Sequence, residues 1–313
     1  MIKFSLIEFF KKFPSEEDAT LYFEKLRWGN DITCPYCKSK SISECVRPMP
    51  YRCRDCRKHF SVRVGTILSE SKLPLQKWLL AIYILTNSKK GISSIQLAEY
   101  LETTQKTAWF LAHRIRETWL QENDKLDGVI EIDETYIGGK EGNKHQNKKT
   151  LNTQGRSTKT KMAILGALER RGKIKAKIVN NTNETTINYF ANNNIKKSAI
   201  LNTDEYRSYN QLKNQGFIHK RVKHSVKEYV YGQYHTNGIE SFWALLKRGY
   251  YGIYHHMSSK HLQRYIDEFS NRHNMIETSG IDKIKVTFNK GIGKKLTYRE
   301  LINDKKKENY RTN

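Results

Sequence analysis

The chain has no long hydrophobic run. The longest, Trp78 to Leu85, spans eight residues, whereas about 20 are needed to cross a bilayer as a helix. The opening stretch, MIKFSLIEFFKKF, mixes charge with apolar residues at helical spacing and has no secretory apolar core. These absences exclude a membrane span, and the sequence predicts a soluble, cytoplasmic protein with no membrane partner. Acidic residues are also scarce, with 32 Asp and Glu against 56 Lys and Arg, for a net charge of +24. Cysteines number five. Four of them fall into two close pairs, which in a reducing compartment favours metal over disulfides. No internal repeat is visible.

Hydrophobic residues make up 37% and aromatics 11% of 313 residues, enough for packed cores in two or three domains. The positive charge is spread along the chain and interleaved with aromatics. A polyanionic partner follows naturally, because Lys and Arg on a nucleic acid release condensed counterions. A merely basic surface, or anionic lipid, is the alternative reading.

Residues 1–30 read as N-terminal helices, with Phe4, Ile7, Phe10 and Phe13 at near-helical spacing and a helix start at Pro14-Ser15-Glu16-Glu17. Residues 31–65 are Cys-rich and strand-like, and residues 72–122 are helical. Strands are expected near 128–138, 162–168, 174–179, 198–203 and 217–224. Helices are expected near 184–194, 205–214, 237–248 and 259–274. The order of these elements suggests a mixed α/β domain. Residues 139–160 hold one large apolar residue, Leu151, and predict a mobile basic loop. The Lys-rich tail from about 290 is expected to fray.

Cys34-Pro-Tyr-Cys37 and Cys53-Arg-Asp-Cys56 are two C-x2-C pairs, separated by the segment from Lys38 to Arg52. Two such thiolate turns can close one tetrahedral zinc site, with Cys45 left out. A closed four-cysteine site is structural, and metal binding would drive folding of so small a module. Arg47, Arg52, Arg54, Arg57, Lys58 and Arg63 surround it, as suits a DNA contact or a protein contact.

Gly91 to Gln96 reads as a loop and a capping box, with Ser93 as N-cap and Gln96 at N3. Ile95, Ala98 and Leu101 would form the inner face of a short helix. After a turn at Glu102-Thr103-Thr104, a longer helix would bury Ala108, Leu111, Ala112, Ile115 and Trp119. Gln105, Lys106, Trp109, His113 and Arg116 would lie on its other faces. This is the layout of a helix-turn-helix reader of the major groove, and also of an ordinary helical bundle.

The strand 128–139 carries Glu131 and Asp133 on one face and Glu134 on the other. An ionised acid in an apolar strand is costly unless paired or metal-bound. Ser198 to Asp204 is a second apolar strand, ending in an acid. In the helix that follows His235-Thr236, the residues Ile239, Phe242, Trp243 and Leu246 form a buried stripe. Asn237, Glu240, Ala244 and Lys247 form a neighbouring stripe, so that face offers a metal-binding oxygen and a cation for phosphate.

With these residues the sequence resembles the bacterial insertion-sequence transposases of the ISXO-like group. The resemblance rests on Asp133-Glu-Thr-Tyr-Ile-Gly-Gly-Lys140, Asn143-Lys-His145, Asn202-Thr-Asp204 and His235-Thr-Asn237-Gly-Ile-Glu240. It continues through Phe242-Trp243, Lys247-Arg248 and Tyr254-His255-His256 and covers about residues 5 to 275. It implies an α/β ribonuclease H-like catalytic domain over 128–285. A zinc ribbon (31–65) and a helix-turn-helix domain (72–122) would precede it, and a basic tail (286–313) would follow. It also implies two Mg²⁺ or Mn²⁺ ions per active site, held by Asp133, Asp204 and a third ligand. Both Asn237 and Glu240 are available for the third position. Glu240 is preferred, because a carboxylate binds a hard cation better than an amide. Its spacing from Asp204 also suits the DDE pattern of two Asp and a Glu. Lys247 would contact DNA.

The implied reaction is Mg-dependent cleavage at the ends of a mobile element, freeing a 3′-OH that then attacks target DNA. Pairing two ends implies at least a homodimer in the active complex, working at the bacterial nucleoid. Eighteen tyrosines leave a tyrosine recombinase imaginable, but its Arg/His spacing is missing. A catalytically inactive, transposase-derived regulator and a zinc-dependent interaction module are the alternatives from other classes.

Overall fold

The computed structural model describes residues 4–46, 49–120, 124–138, 145, 147, 160–222 and 235–303. The expected basic loop at 139–160 lies almost wholly outside these residues, as do Lys140, Asn143, Arg47 and the last ten positions.

The described chain forms two compact units. One holds the residues up to Leu120 together with those from Met275 onward. It begins with α1 (Leu6–Lys12) and α2 (Glu16–Trp28), each started by a full capping box, Ser5 with Glu8 and Ser15 with Asp18. The residues that α1 and its C-cap bury are Phe9 and Phe13; Ile7 and Phe10 are exposed.

A three-stranded antiparallel ribbon follows, made of β1 (Ile42–Glu44), β2 (Tyr51–Cys53) and β3 (His59–Phe60). Then come α3 (Leu75–Asn87), α4 (Ser94–Tyr100) and α5 (Gln105–Arg116). Trp78, Leu79, Ile82 and Leu85 of α3 occupy the centre of a large apolar core, which α2 reaches through Ala19 and Phe23 and α5 through Ala108, Leu111 and Ile115.

The C-terminal boundary differs from the sequence expectation, which ran the catalytic domain through 285 and let the tail fray from about 290. Instead α9 (Gly280–Asn289) packs Ile284 and Phe288 into the first unit's core, with the Phe288 ring 4.7 Å from that of Phe23. Ile292 then forms a bridge with Thr66, and α10 (Tyr298–Asn303) sets Tyr298 against Trp109 and Phe110. The physical reason is burial: the apolar side chains of Ile281, Ile284 and Phe288 at helical spacing, with Leu301 beyond them, outweigh the charge of the intervening lysines.

The second unit is built on a five-stranded sheet in the order β6-β5-β4-β7-β8. Its strands are β4 (Val129–Gly138), β5 (Lys161–Glu169), β6 (Ile174–Val179), β7 (Ile200–Thr203) and β8 (Ile218–Arg221). The first three are antiparallel, and β7 and β8 run parallel to β4. This order and these directions are those of the ribonuclease H-like fold. Helix α6 (Glu184–Asn194) covers one face with Ile187, Phe190 and Ala191 against Ile130, Ile132 and Leu201. Helices α7 (Asn237–Gly249) and α8 (Leu262–Asn274) cover the other, against Ile137, Ile164, Leu168 and Ile174. The helix expected near 205–214 is instead a 3-10 turn, Arg207–Leu212.

The edge strand β6 is closed by side chains rather than by another strand. Gln263 accepts the Ile178 N–H at 2.9 Å and donates to the Ala176 carbonyl at 3.1 Å. Asn274 does the same for both backbone groups of Ile174. Residues 174, 176 and 178 alternate along the edge, so α8 fills the ladder positions that would otherwise template a foreign strand.

Candidate active site and zinc centre

Each cysteine pair sits on a turn of the same shape. Cys34 N–H donates to the Ser39 carbonyl at 2.9 Å, and Cys53 N–H to the Lys58 carbonyl at 3.0 Å, both five residues on. The residue before each acceptor, Lys38 and Arg57, is left-handed at φ 65° and 59°. The two turns bring Cys34 Sγ to 3.6 Å from Cys56 Sγ and Cys37 Sγ to 3.5 Å from Cys53 Sγ. All four sulfurs lie within 4.8 Å of one another. A tetrahedral zinc with Zn–S near about 2.3 Å needs sulfurs about 3.8 Å apart, so the cluster fits a structural Zn²⁺. Trp28, Ile32, Tyr51 and Phe60 back it. Cys45 stays outside, as expected. Arg52, Arg54, Arg57 and Lys58 are exposed, with the Lys58 ammonium 4.7 Å above the Tyr36 ring. Arg63, by contrast, is half-buried and bonds the Ser71 carbonyl.

Helices α4 and α5 form where the sequence places them, with three corrections to their faces and cap. Ser93 caps α4 by accepting from Gln96 N–H, but the Gln96 side chain bonds Tyr100 instead of closing the box. Leu97 rather than Ile95 joins Ala98 and Leu101 in the core, and Ile95 is 63% exposed. His113 and Arg116 are buried, not surface residues. The reason is length: the C-terminal half of α5 is surrounded, and only its first turn, with Thr104, Gln105 and Lys106, is exposed beside Gln96. Arg114 is also interior. Its guanidinium stacks 5.0 Å from Trp78 and donates to the Ser69 carbonyl, and burial lowers its pKa to about 10.

In the second unit, β4 alternates as its sequence predicts. Ile130, Ile132 and Glu134 face α6, while Glu131, Asp133 and Ile137 face α7. Asp133 pairs across the ladder with Gly166. A side chain on Gly166 would stand 2.5 Å from the Trp243 ring of α7, so this glycine lets the helix lie against the sheet beside Asp133. Asp204 follows the last residue of β7, the strand parallel to β4, and its Oδ1 accepts the Tyr206 N–H at 2.9 Å.

Glu240 lies on the exposed side of α7, where Thr236 donates to its Oε1 at 2.8 Å. Burial raises the Asp133 carboxyl to about 8, and the charges of Glu134, Asp204 and Glu240 add to the shift. The charges of Asp204, at the end of β7, and of Glu240, on α7, thus both reach Asp133 on β4. The carboxylates are less tightly drawn together than the cysteines, which among the described residues are the group with all ligand atoms within 4.8 Å. Asn237 and Lys247 are both exposed on α7, and Lys247 is two turns from Glu240 on nearly the same line.

Sequence reasoning had no role for two groups around Asp133. Tyr209 is fully buried and donates to Glu134 Oε2 at 2.5 Å, and burial, then Glu134, pushes its phenol well above the usual range. Glu131, 1% exposed, accepts the Ile239 N–H at 3.0 Å. A signal for Glu131 was present: an acid in the middle of an apolar strand needs a partner.

A zinc ribbon ahead of a ribonuclease H-like sheet with clustered acids defines a DDE-type DNA-recombining enzyme. Comparison with known families agrees. Residues 125–274 match the ISXO2-like transposase domain and residues 14–59 the transposase zinc-ribbon domain. The chain belongs to the ISXO2-like transposases, which are DDE-type enzymes. It is 28% identical over 292 residues to a protein of transposable element ISH50 from Halobacterium salinarum, covering 88% of this chain and 96% of that one. It is 29% identical over 105 residues to a transposase-like protein of Haemophilus influenzae, covering 34% and 84%. Among solved structures, a Mos1 transposase paired-end complex with left transposon end aligns with 68% of this chain and 78% of its own. Its TM-score is 0.28 at 11% identity, too slight a likeness to bear on function.

Proposed function

We propose that this transposase binds the terminal repeats of its element and carries out metal-dependent cleavage and strand transfer at Asp133, Asp204 and Glu240. The observation that carries the reading is the buried, acidic surroundings of Asp133. Carboxylates from β4, from the end of β7 and from α7 are close enough that Asp204 and Glu240 both raise its pKa. An all-oxygen donor set suits a hard divalent cation, and such a cation would offset both the burial that chiefly raises Asp133 and the repulsion that adds to it. Two Mg²⁺ or Mn²⁺ ions held there would activate a water or a 3′-OH and stabilise the leaving oxygen.

The chain's own parts divide the remaining work. Lys247 contacts the DNA backbone beside Glu240. Asn237 stands on the same exposed stripe and is the alternative third ligand. The first turn of α5, with Gln96 and the exposed arginines of the zinc ribbon, reads the element ends, as helix-turn-helix proteins do with the N-terminal residues of the second helix. Two chains pair two ends at the bacterial nucleoid.

The test is cleavage of labelled element-end DNA with and without Mg²⁺, alongside gel-shift binding. Wild-type protein should nick the ends only with the cation, and Asp133→Ala should bind but not nick. Equal cleavage by Asp133→Ala, or by Glu240→Ala while Asn237→Ala loses it, would overturn the assignment in whole or at the third position.

A further inference from the structure

We infer that the two glutamates flanking Asp133 on β4 are positioning residues. Glu131 fixes α7, and with it Glu240; Glu134 fixes the segment leaving β7, and with it Asp204. The inference rests on the reading of the acidic centre given above and adds two residues that do not themselves hold the metal.

Three positions apart on a strand, Glu131 and Glu134 point to opposite faces of the sheet. On one face, Glu131 Oε2 accepts the N–H of Ile239, the residue immediately before Glu240. The first amides of a helix lack intrahelical acceptors, and the N-cap of α7, Thr236, provides no side-chain cap; its hydroxyl donates to Glu240 instead. Glu131 therefore caps α7 from the sheet face beneath it, and its charge faces the positive end of the helix dipole.

The approach is close. A Cβ on Gly238 would come within 2.8 Å of Glu131 Oε2 and 2.9 Å of Leu168 Cδ2, so residue 238 must be glycine for the helix to reach the carboxylate. Arg170 Nη2 at 3.4 Å and His235 Nδ1 at 3.3 Å from Oε1 complete the surroundings of this buried acid.

On the other face, Glu134 accepts from Tyr209 OH. Tyr209 N–H donates to the Tyr206 carbonyl at 3.0 Å, and Tyr206 N–H donates to Asp204 Oδ1. A continuous run of hydrogen bonds thus leads from Glu134 to the carboxylate of Asp204. Asp133 itself is held by the strand between the two glutamates. One short stretch, Glu131 to Glu134, therefore supplies one ligand and the anchors of the other two, Asp204 and Glu240, which come from far later in the chain.

Removing such outer partners typically costs about 10–100-fold in metal affinity or activity. The experiment measures Mn²⁺ binding to DNA-free full-length protein by electron paramagnetic resonance, and amide hydrogen exchange at Ile239 in metal-free protein. Glu131→Ala should weaken Mn²⁺ binding about 10–100-fold and speed exchange at Ile239, and excess Mn²⁺ should recover cleavage. Glu131→Gln keeps an acceptor oxygen and should stay close to wild type in both.

Tyr209→Phe should weaken Mn²⁺ binding with no change at Ile239, and adding Glu134→Ala to it should bring no further loss. Unchanged Mn²⁺ binding in Glu131→Ala and Tyr209→Phe overturns the proposal while leaving the site assignment intact. Loss in Glu131→Gln equal to that in Glu131→Ala, with no recovery at high Mn²⁺, overturns it in favour of Glu131 as a direct ligand. Wild-type binding of Mn²⁺ that Asp133→Ala leaves unaltered removes the site assignment itself, and the proposal with it.

Discussion

Among the described residues, two short strands, β1 and β2, lie between Cys34 and Cys56, whereas β5 to β8 and helix α6 lie between Asp133 and Glu240. The cysteine cluster is assembled by two like turns of one small ribbon, and its four sulfurs lie within 4.8 Å. The candidate acids belong to a strand, a strand end and a helix of the unit built on the five-stranded sheet. A metal on the first replaces a core the ribbon is too small to have. The second is framed by an apolar core of sheet and helices, with Trp243 seated on Gly166 and Glu131 under α7. On the proposed reading, metal at the first would serve folding and metal at the second would serve chemistry.

The largest effect should separate the two. Structural zinc in small modules is worth about 10–16 kcal/mol, so Cys53→Ala or a strong chelator should melt the ribbon. The sheet unit should keep its own unfolding transition in calorimetry. A single shared transition that shifts as a whole would break the comparison.

Next comes Asp133→Ala or Asp204→Ala. Charge stabilisation by the metal ions is large, and a tenfold change in rate corresponds to about 1.4 kcal/mol. Cleavage should therefore fall by about a thousandfold or more, with far-ultraviolet circular dichroism and DNA binding unchanged.

The pH responses should be opposite. The Asp133 carboxyl, raised to about 8, holds a proton in the folded protein that the unfolded chain has released. Metal-free stability at this site is thus present below about 4 and lost as pH rises towards 8. Added Mg²⁺ should abolish that loss. The zinc cluster needs thiolates, so zinc should be released as pH falls. Denaturation midpoints and zinc release, followed from acid to alkaline pH across that window, check both; parallel trends would contradict the two plans.

Gly166→Ala should cost about 1–3 kcal/mol by overpacking Trp243 and should lower cleavage by displacing α7. A denaturant midpoint equal to wild type would show that the helix is not seated as described. The smallest effect is expected at Ile95, which is exposed on α4. Ile95→Ser should change stability by less than about 0.5 kcal/mol, and a larger loss on urea titration would return it to the core.

The cysteines of the ribbon and the acids proposed for the active site were both singled out along the chain, but for different reasons. C-x2-C spacing is a local geometric statement, and the ribbon reproduces it turn for turn. The buried stripe of α7, Ile239, Phe242, Trp243 and Leu246, was legible from helical period alone, and so was the alternation of β4. The fate of Arg114, His113 and Arg116 was not. Charged and polar types suggest a surface, yet α5 is enclosed beyond its first turn and Arg114 finds aromatic rings and a carbonyl inside. The residues after 275 were misread in the same way, because lysines between Ile284, Phe288 and Leu301 conceal an apolar face that has value only against a core already built.

The sequence by itself determined the paired cysteines of the ribbon and most of the strands and helices, because spacing and period are properties of the chain. The tertiary structure alone decided which partner each carboxylate meets. Glu131, Asp133 and Glu134 are chemically alike and nearly adjacent. Their partners, the Ile239 amide, the acids Asp204 and Glu240, and the Tyr209 hydroxyl, arrive from distant segments of the chain, and only the packing of the sheet between its two helical layers brings each to its own face.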